Sequence, residues 1–173
     1  MPMLETYLHE EKTVEQRFYR ETVPLDRSYH IRGTTSTDQS LCLPRRMPSI
    51  TETIPYLFFL HLQHPKKSKP VAMLGFDTTD DTTICREIHG CKGEFFALKP
   101  LRWDLALLTH FVETSRKAGY KEAHVLHSSQ ITMPIVTGSE EHAGQRLQKR
   151  YDENAQSLGF TYNPSIKRYV LTL

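Results

Sequence analysis

Long apolar runs are missing from this sequence, and with them any segment of the kind that crosses a bilayer. The most apolar stretch, Ile54 to Leu62, is interrupted by Pro55 and His61 and is about half the length that a spanning helix requires. A basic segment leading into an apolar run is also missing at the start, where the chain reads Leu4-Glu5 and then His9-Glu10-Glu11-Lys12. The expectation is a cytoplasmic protein without a secretory leader and without a membrane partner. Cysteine is scarce and odd in number, with three residues at Cys42, Cys85 and Cys91. That argues against a disulfide framework and predicts free thiols. Charge of one sign is not concentrated either. Net charge is +2 with histidines neutral, and the basic residues are dispersed over Arg45-Arg46, Lys66-Lys67, Lys69, Arg146 and Lys149-Arg150. An obligate nucleic-acid binder, with its dense basic face, is not expected.

What is present is enough for one sizeable core, since 173 residues with 38% apolar and 24% charged positions fall in the range of a single domain. We therefore expect one domain over residues 1–173. Thr13-Val14-Glu15-Gln16 has the form of a capping box, which predicts a short helix to about Glu21. From Thr22 to Pro55 no period of 2 or 3.6 is sustained, and Pro24, Gly33, Pro44 and Pro48 punctuate a Ser- and Thr-rich stretch. Residues 1–55 are thus expected to be an irregular segment with that helix and one or two short elements.

Beyond it, Tyr56–Leu62 and Val71–Phe76 are strand-like runs around the polar segment His64–Lys69 and predict an antiparallel hairpin. A third strand is expected over Thr82–His89, with Cys85, Glu87 and His89 on one face and Ile84, Arg86 and Ile88 on the other. Leu101, Leu105, Leu108 and Val112 are spaced 4, 3 and 4 apart, which predicts a helix from about Leu101 to Ala118, closed by Gly119. A strand Ala123–His127 follows. Ser139, with Glu140 and Glu141 behind it, is placed to start a last helix whose apolar stripe is Ala143, Leu147, Tyr151, Ala155 and Leu158. Phe160–Tyr162 and Arg168–Leu171 make a final hairpin. The class implied is α/β of the α+β type, a mixed and largely antiparallel sheet flanked by helices.

Few residues stand out chemically. Cys85-x3-His89-x-Cys91 has ligand-type side chains, but its spacing does not match the paired motifs that surround a tetrahedral zinc, and no second cluster completes it. On one strand, Cys85 and His89 would lie roughly 13 Å apart, too far for a nucleophile and its base. Glu87, at the centre of a strand, is a candidate general base if it faces a cleft, and a salt-bridged strand residue if it does not. Trp103 stands at a helix start beside Lys99 and Arg102, where it either shapes an anion site or plugs the core. Tyr151, on the apolar stripe, reads first as a core aromatic.

The order hairpin, strand, helix, strand, helix, hairpin, with the last helix ending Asn154-Ala155-Gln156-Ser157-Leu158-Gly159-Phe160, resembles the catalytic half of the GNAT acyltransferases over residues 56–173. The resemblance implies that strands 82–89 and 123–127 splay apart to admit the pantetheine arm of acetyl-coenzyme A or another acyl-coenzyme A. The pyrophosphate would sit on the N-terminus of the 101–118 helix. Lys92, Gly93, Lys99, Arg102 and Trp103 would then be cofactor-binding, Glu87 a base and Tyr151 a second catalytic group, acting on a small-molecule or peptide amine. Where the family has a glycine-rich loop, this chain has Lys99-Pro100-Leu101-Arg102-Trp103-Asp104, and the family's tyrosine position in the last helix is Ala155. Two readings follow: an acyl-coenzyme A-dependent N-acyltransferase, or a GNAT-like domain without coenzyme binding that acts as a binding or interaction module. A thiol enzyme built on Cys85 or Cys91 stands behind them, and a homodimer is compatible with all three.

Overall fold

Strand propensity between Tyr56 and Gly90 is realised as a meander in which each strand returns antiparallel to the last. The computed structural model describes residues 3–24, 26–37, 54–64, 67–131 and 140–173. Helix α1 (Leu4–Leu8) is followed by strands β1 (Lys12–Thr13), β2 (Ser28–Thr35), β3 (Tyr56–His64), β4 (Lys67–Thr78) and β5 (Thr82–Gly90). Helices α2 (Phe95–Leu98) and α3 (Trp103–Lys117) lead to β6 (Glu122–Leu126). Then come α4 (Glu140–Leu147), a π-helical stretch Gln148–Glu153, α5 (Asn154–Ser157), β7 (Thr161–Asn163) and β8 (Arg168–Thr172). The eight strands form one mixed sheet in the order β1-β2-β3-β4-β5-β6-β8-β7. All its neighbours are antiparallel except β5 and β6, which run parallel. The α+β class expected from the sequence is the one observed. Among the described residues no helix is long and apolar enough to cross a membrane.

The core follows from the predicted helix phase. Leu105, Leu108, Phe111 and Val112 of α3 are buried with Phe58, Leu60, Leu74, Phe76, Ile88 and Val125 of the sheet. The helix stops at Ala118 because Gly119 adopts φ +88, the left-handed conformation that glycine takes without strain. Leu147, Tyr151 and Ala155 join the same cluster, whereas Leu158 is only partly buried at its edge. On the other sheet face Ile54, Leu57, Phe59 and Met73 form a smaller cluster.

Two expectations for the N-terminal segment are corrected. Thr13 does not cap a helix. It lies in β1 opposite His30, its hydroxyl 3.3 Å from His30 Nδ1, and only a 3-10 turn forms at Gln16–Phe18. Edge pairing wins because the Val14 N–H finds the Tyr29 carbonyl at 2.8 Å, and the α-helix forms upstream instead, burying Leu4 and Leu8. Residues 28–35, expected as loop, form a full strand in unbroken register with β3. Its apolar alternation is hidden by Gly33, where a Cβ would lie 2.2 Å from the Leu8 carbonyl oxygen and 2.7 Å from the Phe58 ring. A side chain is excluded there so that α1 can close on the sheet. Cys42 and the helix start at Ser139 lie outside the described residues.

Candidate functional site

The site begins with an irregularity in β5. Gly75 pairs with Glu87, but the next residue, Phe76, pairs with Cys85, so Arg86 is the extra residue of a β-bulge. A bulge shifts the side-chain phase by one. Cys85 opposite Phe76 therefore packs with Ile88 in the core under α3, while Glu87 opposite Gly75 and His89 opposite Met73 face the other side. The predicted common face of Cys85, Glu87 and His89 is thus corrected. Arg86 is held by Asp77, its Nε donating to Oδ2 at 2.8 Å.

Past the bulge, β5 loses its parallel neighbour. Paired positions run from Thr82–Glu122 to Cys85–Val125, yet β5 continues to Gly90. The backbone groups freed by this parting must find other partners. Ile88 finds two in the π-helical stretch. Its N–H donates to the Tyr151 hydroxyl at 2.7 Å, and its carbonyl accepts from an Arg150 guanidinium N–H at 3.2 Å. The next residue secures the other strand: the buried Asp152 carboxylate accepts from the Ser128 N–H at 2.9 Å and from the Ser128 hydroxyl at 2.6 Å, just beyond the end of β6. Three consecutive side chains therefore tie both strands across the gap.

The widened turn makes this possible. A stripe at strict four-residue spacing drifts by about 40° per step on an α-helix, and the π-helical stretch takes up the drift so that Leu147, Tyr151 and Ala155 share one buried face. Burial pushes the Tyr151 phenol well above its ordinary range, with the nearby Cys85 and Glu87 adding to the effect. That phenol is not poised to give up a proton.

The start of α3 is occupied as well. The Arg150 guanidinium stacks over the Trp103 ring at 4.8 Å. Trp103 in turn packs against Gly90, where a Cβ would come within 3.7 Å of the ring. The Asp104 carboxylate lies in the first turn and accepts from the Leu105 N–H at 3.0 Å. The Arg102 N–H is spent on the Phe18 carbonyl at 2.8 Å, which braces this corner against the N-terminal segment.

The sequence-derived residues fall into separate places. Tyr151 and Trp103 meet through Arg150. Lys92 and Gly93 occupy an exposed turn before α2, with Gly93 at φ +87, and Lys99 faces Glu21 at 3.9 Å. Arg102 is exposed. Glu87 sits 3.6 Å from His89, on the sheet face opposite Tyr151. Among the described residues no group of histidine, cysteine and carboxylate side chains is placed to hold a metal. Cys85 and Cys91 are free and buried; burial pushes the Cys85 thiol far up and the Cys91 thiol to about 11, so neither supplies the thiolate that a thiol enzyme needs. Arg150 and Asp152 were not singled out from the sequence. Their signal was a run of three polar or amphipathic residues interrupting an apolar stripe at a spacing too wide for an α-helix.

The residues present do not fit an acyl-coenzyme A in the manner that the GNAT resemblance implies. Both backbone groups of Ile88 already have partners in the gap, and the Asp104 carboxylate stands in the first turn of α3, where a pyrophosphate would sit.

No protein-family model matches this chain, and no curated protein matches it. Among solved structures, a domain from Methanocaldococcus jannaschii DSM 2661 is similar with a TM-score of 0.45 and 16% sequence identity, over 86% of this chain and 100% of that one.

Proposed function

We propose that this chain is a GNAT-like domain that takes no coenzyme thioester and serves as a binding or interaction module. The observation that carries the reading is the filled gap between β5 and β6, where Tyr151 and Arg150 satisfy both backbone groups of Ile88. The strand order, with one parallel pair that parts midway, supports the GNAT-like part of the reading. The competing reading, an N-acyltransferase with Glu87 as base and phosphates held by Lys92, Gly93, Lys99, Arg102 and Trp103, requires Arg150 and Tyr151 to leave Ile88 and turn elsewhere. It also sets the Asp104 carboxylate beside a polyanion, a repulsion that works against the pull of Arg150 and of the helix start on that anion.

Thermal unfolding with coenzyme A, acetyl-coenzyme A and longer acyl-coenzyme A species separates the two. A ligand at one hundred times its dissociation constant adds about 2.7 kcal/mol of stability, which a melting curve resolves easily. We expect no shift with any of them and no amine-dependent release of thiol. A saturable shift with free coenzyme A would overturn the module reading and restore the acyltransferase.

A further inference from the structure

Between β5 and α3 the four-residue helix α2 turns Phe95 and Phe96 outward, 69% and 83% exposed, with their rings 5.7 Å apart and edge to face. Scattered apolar residues on a surface need no explanation, but two adjacent phenyl rings this exposed on one helical turn do. The platform beneath them is fixed. Leu98 is buried, the Tyr29 hydroxyl donates to the Ala97 carbonyl at 2.5 Å, and the Cys91 N–H donates to the Val71 carbonyl at 2.8 Å. The rings are therefore held out by the fold.

Cations flank them along the chain. Lys99 lies one turn beyond Phe95, its N–H bonded to the Phe95 carbonyl at 2.9 Å, and Lys92 lies in the turn just before. Two acids of this corner are matched, Glu94 by Lys69 at 2.7 Å and Glu21 by Lys99 at 3.9 Å. Lys92 and Arg102 have no ion pair among the described residues, and even with Asp104 at the start of α3 counted against them the corner stays net positive.

We infer that the Phe95–Phe96 corner is a docking tip for an anionic lipid surface. Two phenyl rings on a single helical turn make a small tip, far below the roughly 800 Å² per partner of a stable protein interface. Apolar rings inside a basic collar are instead the composition of an interfacial anchor, in which the rings enter the headgroup boundary and the cations meet anionic headgroups. The sequence expectation of no membrane partner rested on the lack of a spanning segment, and a surface anchor needs none. The inference is independent of the filled β5–β6 gap.

The test is co-sedimentation of the full chain with phosphatidylcholine vesicles, with and without phosphatidylserine, for the wild type and for Phe95→Ser/Phe96→Ser. Both side chains are exposed, so the double variant should melt with the wild type. We expect the wild type to partition onto the phosphatidylserine vesicles, less so in high salt, and the double variant to lose about tenfold or more of that partition. Absence of wild-type partition, equal partition by the double variant, or equal partition onto neutral vesicles would each overturn the assignment. A soluble protein captured through Phe95 and Phe96 without vesicle binding would overturn it in favour of a protein partner.

Discussion

Replacing Tyr151 by phenylalanine tests the strand clamp at its smallest point. The ring stays, so no cavity opens and the transfer component of a large-to-small substitution is absent. What goes is the oxygen that accepts the Ile88 N–H at 2.7 Å, in a place where both residues are fully buried. An orphaned buried donor costs about 1–3 kcal/mol. With a urea dependence of about 1–3 kcal/mol per molar for a small domain, the unfolding midpoint should fall by about 1 M at unchanged slope. Hydrogen exchange gives a residue-level reading of the same loss. If the Ile88 amide exchanges through local opening, weakening its bond by about 1–3 kcal/mol should speed it by about five- to 150-fold, while the amides of β3 and β4 slow or quicken only with global stability. A variant within about 0.5 kcal/mol of wild type whose Ile88 amide stays protected would refute the reasoning, because the gap would then be closed by something other than the hydroxyl.

Two further outcomes are expected. Burial pulls the His110 imidazole down from 6.5 to about 4, with Lys12 and Lys117 adding to it, and neither ring nitrogen has a hydrogen-bond partner among the described residues. The folded chain thus refuses a proton that the unfolded chain accepts. Stability should fall as pH drops below about 6.5 and level off below about 4, by about 3 kcal/mol at 1.36 kcal/mol per pH unit. His110→Phe should flatten that slope in urea titrations at stepped pH, and an unchanged slope would place the acid sensitivity elsewhere. Leu108, fully buried in α3, should cost about 2–5 kcal/mol on truncation to alanine, read from the calorimetric midpoint, and a harmless truncation would mean that the helix phase is wrong.

The elements legible in the sequence are those whose period is regular over many residues. Leu101, Leu105, Leu108 and Val112 mark a helix because nothing interrupts their spacing, and the runs at Tyr56 and Val71 mark strands because flanking turns are polar. The strand at Ser28–Thr35 is not legible because Gly33 breaks its alternation for a tertiary reason, the approach of Leu8, which no local pattern encodes. The capping box at Thr13 is a true local signal that lost to pairing with β2. At the site, Tyr151 was visible as a member of an apolar stripe. Its partner was not, since a backbone N–H carries no sequence signature. The bulge at Arg86 was likewise invisible, and with it the separation of Glu87 from Cys85.

The bulge and the π-helical stretch are better understood together than as two local accidents. Wherever two parallel strands part, each leaves backbone donors and acceptors that water, a ligand or the chain itself must satisfy. A domain that binds an extended cofactor in such a gap leaves those groups for the ligand. In this chain the bulge turns Ile88 into the core under α3, beneath the last helix. The extra width of the π-helical turn lets Arg150, Tyr151 and Asp152 reach β5 and the end of β6 at once. A regular α-helix would carry the three side chains around by about 100° per residue and would struggle to aim all of them at the same opening. The irregular turn is therefore what closes the gap at Ile88.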